Sequence, residues 1–265
     1  MLKDIQNSQD TRKIELDKAG IKGLRYPIAV LDKVNKVQHT AAIVDLYVNL
    51  PKEFKGTHMS RFVDEFNKHA KRISMKAYLE MLEAIRIRLD AATAYGKLRF
   101  PYFIEKEAPV SKQKAVMSYD CEFAGRVSAD DRHFTVAVKV PVQTLCPCSK
   151  EISDFGAHNQ RAEISIRLEI GSFFWLEDLI ALAEAAASSP VYSLLKREDE
   201  KFVTEQSYCN PKFVEDTVRD VCLALPRLGD FPYCEVEAES FESIHNHNAF
   251  ASATGACIAG RFVQS

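Results

Sequence analysis

The sequence predicts an α+β protein with antiparallel sheets and helices segregated to one face. Three observations predict it. The order strand, helix, helix, strand occurs twice along the chain. The helices between strands are too few for a parallel, doubly wound sheet. No Gly-rich phosphate loop of the dinucleotide or Walker kind is present.

The elements follow in order. Residues Met1 to Gly20 are polar, charged and aperiodic, and read as an arm. Lys36 to Leu50 is β-branched and partly alternating, which predicts a strand. A first helix is expected over Ser60 to Ala70. A second is expected over Ser74 to Tyr95, capped by Ser74 and ended by Gly96. Its apolar stripe is Met75, Tyr78, Leu82, Ile85, Leu89 and Ala92. Strands follow over Leu98 to Glu105, Ala115 to Ser128 and Phe134 to Val142. Arg161 to Ile170 alternates cleanly, so it is a strand with one wet face. Leu176 to Ala187 is helical, with Ser172 offered as its cap. Asn210 and Pro211 open a further helix with the stripe Val214, Val218, Val221 and Leu225, stopped by Pro226. Strands return over Tyr233 to Glu242 and Ala249 to Phe262.

The chain has 265 residues, 46% hydrophobic and 27% charged, with a formal net charge of −2. That suits a globular protein with a real core. The charge balance argues against bulk nucleic-acid binding, although a local basic cluster can still hold a phosphorylated small molecule. The N-terminus lacks the apolar core of a signal peptide, and no apolar run reaches the roughly 18 residues of a membrane span. A cytoplasmic protein with no membrane partner is expected. Its seven cysteines do not form the framework of a small secreted domain, so they are expected as thiols.

Several residues stand out chemically. Cys146 and Cys148 end a predicted strand in Leu145-Cys146-Pro147-Cys148-Ser149; if extended, both side chains face the same way. Two buried small hydrophobes would satisfy the same pattern, and no second pair sits at zinc-finger spacing. His158 lies twelve residues after Cys146, a separation that permits both to meet one ion. His245 and His247 form another i, i+2 pair, flanked by Asn246 and Asn248. Imidazole suits zinc, iron and manganese alike. The run Lys196 to Lys201 reads as a solvated charged face, and its acids are not distinguishable by sequence. Glu215 sits in the first turns of a helix, where a carboxylate is favourable anyway. His58 precedes a helix start flanked by Lys55 and Arg61, a setting that suits an anion.

Long motifs occur in order: Lys55-Gly56-Thr57-His58-Met59-Ser60-Arg61-Phe62, Leu145 to Ser153, and Gly156-Ala157-His158-Asn159-Gln160-Arg161. Ser188 to Tyr192, Leu195 to Arg197, Asp199-Glu200-Lys201, Asn210 to Asp216 and Glu242 to Ala249 continue the series. Together they resemble the GTP cyclohydrolase IB family over nearly the whole chain after about residue 20. The resemblance implies a tunnelling fold of two ββααββ-like modules, about 21–142 and 143–265, in a homotetramer with active sites where subunits meet. It implies conversion of GTP and water to 7,8-dihydroneopterin triphosphate and formate, the entry to folate. It implies one divalent metal per site (Zn, Mn or Fe(II)), held by Cys146, His158, Glu200 and His245. Glu215 would anchor the guanine, and Cys148 would act as a non-ligand thiol needed for turnover. His247 and His58 would carry protons. Arg61, Arg161, Lys196 and Arg197 would neutralise the triphosphate, an assignment resting on charge.

Two other classes share parts of this pattern. A nitrile reductase of the same fold would use a Cys nucleophile with a nicotinamide cofactor and would not need the four-ligand set. A pterin- or purine-binding protein with a structural zinc would fill its coordination shell and release no formate.

Overall fold

The computed structural model describes residues 10–264. Residues 1–9 of the expected arm lie outside the described residues. Leu16 to Gly20, also assigned to the arm, belong instead to the first strand, β1 (Leu16–Asp32).

The other strands are β2 (Lys36–Leu50), β3 (Thr93–Glu107), β4 (Lys114–Ser128), β5 (Arg132–Leu145), β6 (Asn159–Glu169), β7 (Ser189–Pro190), β8 (Phe231–Ser240), β9 (Ala249–Ile258) and β10 (Arg261–Gln264). The helices are α1 (Met59–His69), α2 (Met75–Arg88), α3 (Pro147–Ile152), α4 (Leu176–Ala186), α5 (Arg197–Cys209) and α6 (Val214–Ala224). The sheet order is β1-β2-β3-β4-β5-β6-β8-β9-β10, with β7 paired to β5. β1 on β2, β2 on β3, β5 on β7, β6 on β8, β8 on β9 and β9 on β10 all pair antiparallel. This is the expected α+β architecture with antiparallel pairing.

The chain forms two compact units. One runs up to Pro101 and includes Glu122–Val136; the other holds Tyr102–Cys121 and everything from Ala137. In the first unit, Phe62, Phe66, Tyr78, Met81, Leu82 and Ile85 of α1 and α2 are fully buried. Tyr78 meets Phe134 edge-on at 5.5 Å, and Phe123 links Phe134 to Phe100. Such rings add to simple area burial. In the second unit, α6 packs on β8 and β9, and α4 packs on α6. Leu179, Ala183, Val221, Phe231 and Val236 are sealed there.

Where the structure departs from the sequence reading, the cause is local. Ser74 does cap α2, accepting from Ala77 N at 3.3 Å. The helix stops at Arg88, however, and Tyr95 and Gly96 lie in β3. Gly96 is no helix stop. A Cβ there would come within 2.5 Å of the Tyr78 hydroxyl and 2.9 Å of Leu82 Cδ2. Ser172 is not the cap of α4, which begins after Trp175; its hydroxyl accepts from Asp230 N at 3.1 Å. Asn210 does not cap α6. It ends α5 and donates through Nδ2 to Ala187 O and Ser188 O. The start of α6 is fixed by Asp216, which accepts from Phe213 N. The expected single strand from Ala249 to Phe262 is a hairpin of β9 and β10, turned by Ala259 and Gly260 at positive φ.

α5 has no counterpart in the sequence reading. Asp199 explains its start. The residue is wholly buried and accepts from Val110 N, Ser111 N and Lys196 N, each at 2.8 Å, and from Ser111 Oγ at 2.6 Å. Burial pushes its carboxyl up, but the bonds from Ser111, Lys196 and Val110 outweigh this and hold it far below the usual carboxylate range.

Gly96→Ala is expected to cost about 1–3 kcal/mol through overpacking. Among the described residues the Tyr78 hydroxyl has no hydrogen-bond partner, so Tyr78→Phe is expected to be neutral. Combining it with Gly96→Ala recovers part of the loss, readable by denaturant unfolding. Asp199 has a depressed folded pKa, so its contribution is present at neutral pH and lost as pH falls through the carboxylate range. Asp199→Asn should lower the thermal midpoint at pH 7 and flatten its decline below about pH 4. An unchanged acid slope would sink this assignment.

Candidate active site

Cys146 and Cys148 are not held on one strand face. β5 ends at Leu145, and Pro147 occupies the first position of α3, where its fixed φ and missing N–H do no harm. Cys146 becomes the extended N-cap, and its Sγ accepts from Ser149 N at 3.4 Å. Cys148 lies in the helix and is exposed. The expectation of a shared strand face fails because proline starts a helix between the two thiols.

The segment from Cys146 to His158 is closed by its own backbone. Cys146 N donates to His158 O at 3.2 Å, and Ser149 Oγ donates to Cys146 O at 3.2 Å. His158 N donates to Ser149 Oγ at 3.2 Å. Two of the four expected ligands are therefore brought together by short-range bonds. His158 is half-buried, and its Nδ1 lies 2.9 Å from Gln160 Oε1. Gln160 Nε2 donates to Thr144 Oγ1 at 3.0 Å, which lies 3.1 Å from Ser240 Oγ. Gln160 stood in the quoted motif but was not singled out by its chemistry.

Glu200 and His245 sit on other segments of the same unit. Glu200 is exposed in the first turn of α5, next to the buried Asp199. The structure thus separates the acids of the charged run: Asp199 is consumed by four bonds, while Glu200 faces solvent. His245 and His247 lie in the exposed loop 241–248 rather than on a strand. Their rings still stack, 5.1 Å apart and 11° from parallel. His247 Nδ1 donates to Asn248 O at 3.3 Å, and Asn248 Nδ2 donates to Glu239 Oε1 at 2.7 Å. Among the described residues, no group of three or more His, Cys, Asp or Glu side chains is placed to hold a metal. A thiol, two imidazoles and a carboxylate nonetheless form a donor set that suits Zn, Mn or Fe(II).

The other candidates are distributed as follows. Glu215 is exposed in the first turn of α6, whose capping role falls to Asp216. Arg161, Lys196 and Arg197 are exposed. His58 is the half-buried N-cap of α1, in a cleft that also holds Arg61 and Arg88. Arg61 Nη1 donates to Arg88 O at 3.2 Å. Lys150, missed by sequence reasoning, ties α3 to α5 through a 2.6 Å bond to Tyr208 O. Lys212 N donates to Leu145 O at 3.1 Å and fixes the segment before α6 to the end of β5.

The solved uricase from Arthrobacter globiformis aligns with a TM-score of 0.52 at 8% identity, covering 89% of this chain and 92% of that one. A uricase from Bacillus fastidious gives 0.55 at 6%, covering 89% and 92%. At such identity the likeness shows the fold alone, the uricase-like tunnelling fold. A protein of Syntrophus aciditrophicus named GTP cyclohydrolase FolE2 is 53% identical over 248 residues, 94% of this chain and 97% of that protein. One of the same name from Geobacter sulfurreducens is 51% identical, covering 94% and 96%. A family model described as type I GTP cyclohydrolase folE2 matches residues 2–251. The family description reads type I and FolE2, and the relatives are named FolE2; the subtype IB of the sequence reading is corrected to FolE2. Matched by that model across nearly its full length, the chain belongs to the type I GTP cyclohydrolase FolE2 family.

Proposed function

We propose that the chain hydrolyses and rearranges GTP to 7,8-dihydroneopterin triphosphate and formate, the first step of folate biosynthesis. Family membership over residues 2–251 carries this reading. GTP cyclohydrolases are generally metal-dependent. Cys146, His158, Glu200 and His245 are the residues proposed to hold one Zn, Mn or Fe(II) ion. The backbone bond joining Cys146 to His158 supports the first two. A divalent ion bound there would lower the pKa of a water and polarise a carbonyl.

The chain's own groups take the remaining tasks. Glu215 accepts from the guanine ring N–H and amino group as a bidentate pair. Cys148, exposed one residue inside α3, holds a proton at its Sγ beside the imidazole ring of the substrate. His247 and His58 carry protons in the later ring opening and closure. Arg61, Arg161, Lys196 and Arg197 offset the triphosphate charge; exposure of the last three supports this.

The finer architecture belongs to the same reading. The run β1, β2, α1, α2, β3, β4 supports a ββααββ module, with a second one after about residue 142. We propose a cytoplasmic homotetramer whose sites form where subunits meet. Phe155 is 99% exposed, Ile152 84% and Ile244 64%, on the segments between β5 and β6 and after β8 that bear candidate ligands. Exposed apolar groups of this size suit a protein interface.

The decisive experiment incubates the purified protein with GTP and each of Zn(II), Mn(II) and Fe(II), following pterin fluorescence and formate. Absence of both with every metal would sink the assignment. Chelation should abolish turnover without unfolding the protein, and added metal should restore it. Unfolding on chelation would favour a structural zinc instead. Cys148→Ala should keep bound metal and lose pterin formation, whereas His158→Ala should lose metal.

A further inference from the structure

We propose that Gln160 is a positioning residue: it fixes His158 as the Nδ1–H tautomer and so presents Nε2 as a lone pair to a divalent cation. The inference rests on the reading of His158 as a metal ligand.

A line of hydrogen bonds runs inward from the ring. His158 Nδ1 lies 2.9 Å from Gln160 Oε1, and Gln160 Nε2 donates to Thr144 Oγ1 at 3.0 Å. Thr144 Oγ1 also lies 3.1 Å from Ser240 Oγ, a contact in which either hydroxyl can donate. Gln160 is 9% exposed, Thr144 2% and Ser240 1%. A buried amide has two unlike ends, and each must face a group of the opposite kind. With Nε2 committed to Thr144, the end facing the imidazole is an oxygen, which only accepts. An acceptor beside Nδ1 requires a proton on Nδ1. A neutral imidazole carries one ring proton, so Nε2 is left as the lone pair. That is the form in which histidine binds a metal, and a second hydrogen bond of this kind orients the ring as well.

The chain of bonds also sets where the ring stands. Gln160 reaches from β6 to Thr144 at the end of β5, two residues before Cys146. Thr144 in turn reaches Ser240 at the end of β8, where the loop carrying His245 begins. One continuous line of polar atoms thus spans the strand ends from which three of the four candidate ligands depart. Reversal of the amide would present Nε2–H to Nδ1, put the ring proton on Nε2 and remove the lone pair.

The test reads metal affinity and tautomer, not turnover. Zn(II) is titrated into the metal-free protein in competition with a chromogenic chelator. Gln160→Leu should weaken Zn(II) binding about 10–100-fold. Gln160→Glu, which still accepts at Nδ1, should restore most of it. Independently, 15N NMR of the metal-free wild type should show His158 Nδ1 protonated and Nε2 unprotonated. This measurement stands even where Gln160→Leu folds poorly. His158 protonated on Nε2 would overturn the inference. So would unchanged Zn(II) affinity in Gln160→Leu alongside loss in His158→Ala. Unchanged affinity in His158→Ala would instead overturn the ligand reading beneath it.

Discussion

Two hydroxyls and an amide close the inward rows of three strands, and the candidate site depends on their mutual satisfaction. In β5 the buried row Phe134, Val136, Val138, Val140 and Val142 ends in Thr144. In β8 the row Cys234, Val236 and Ala238 ends in Ser240. In β6 the row Ala162, Ile164, Ile166 and Leu168 begins with Gln160. An apolar residue at Thr144 would leave the other two short of a partner, and one at Gln160 or Ser240 would leave Thr144 short, at about 1–3 kcal/mol per buried group. Together they form a polar cap on an apolar interior, at the strand ends that lead to Cys146, His158 and the loop of His245.

The same economy separates the roles of neighbouring residues. Cys146 is held as a cap by Ser149 N, while Cys148, two positions on, is exposed. Asp199 is absorbed by four donors, and that frees Glu200 to face outward from the same helical turn. In both cases one residue spends hydrogen bonds on nearby backbone while its neighbour stands exposed. Side-chain chemistry alone does not distinguish the members of either pair.

Much of the fold was legible in the sequence because local and global preferences agree there. Lys36 to Leu50 was read to the residue, since its β-branched alternation matches a strand buried on one side. Ser74 was read correctly because its cap is a local bond. Gly96 was misread because what decides it is Tyr78, eighteen residues away in sequence and packed against it. β1 was passed over since Lys18, Lys22 and Arg25 mask the pattern of an edge strand. α5 was passed over because Asp199 looks like one charge among six. The candidate site was drawn chiefly from family resemblance, which assigned Cys146 and His158 as ligands after their spacing had singled them out. Gln160 carried a usable signal of its own: a polar residue in the inward register of an otherwise apolar strand.

The limits of the two compact units fall inside β3, β4 and β5 rather than in loops. The backbone passes from one unit to the other three times, each time in mid-strand. No single cut therefore releases either unit as an intact piece. Recombination by exchange of contiguous segments would sever ladders rather than linkers, so the gene is expected to evolve as one indivisible block, with insertions confined to the loops beyond the strand ends.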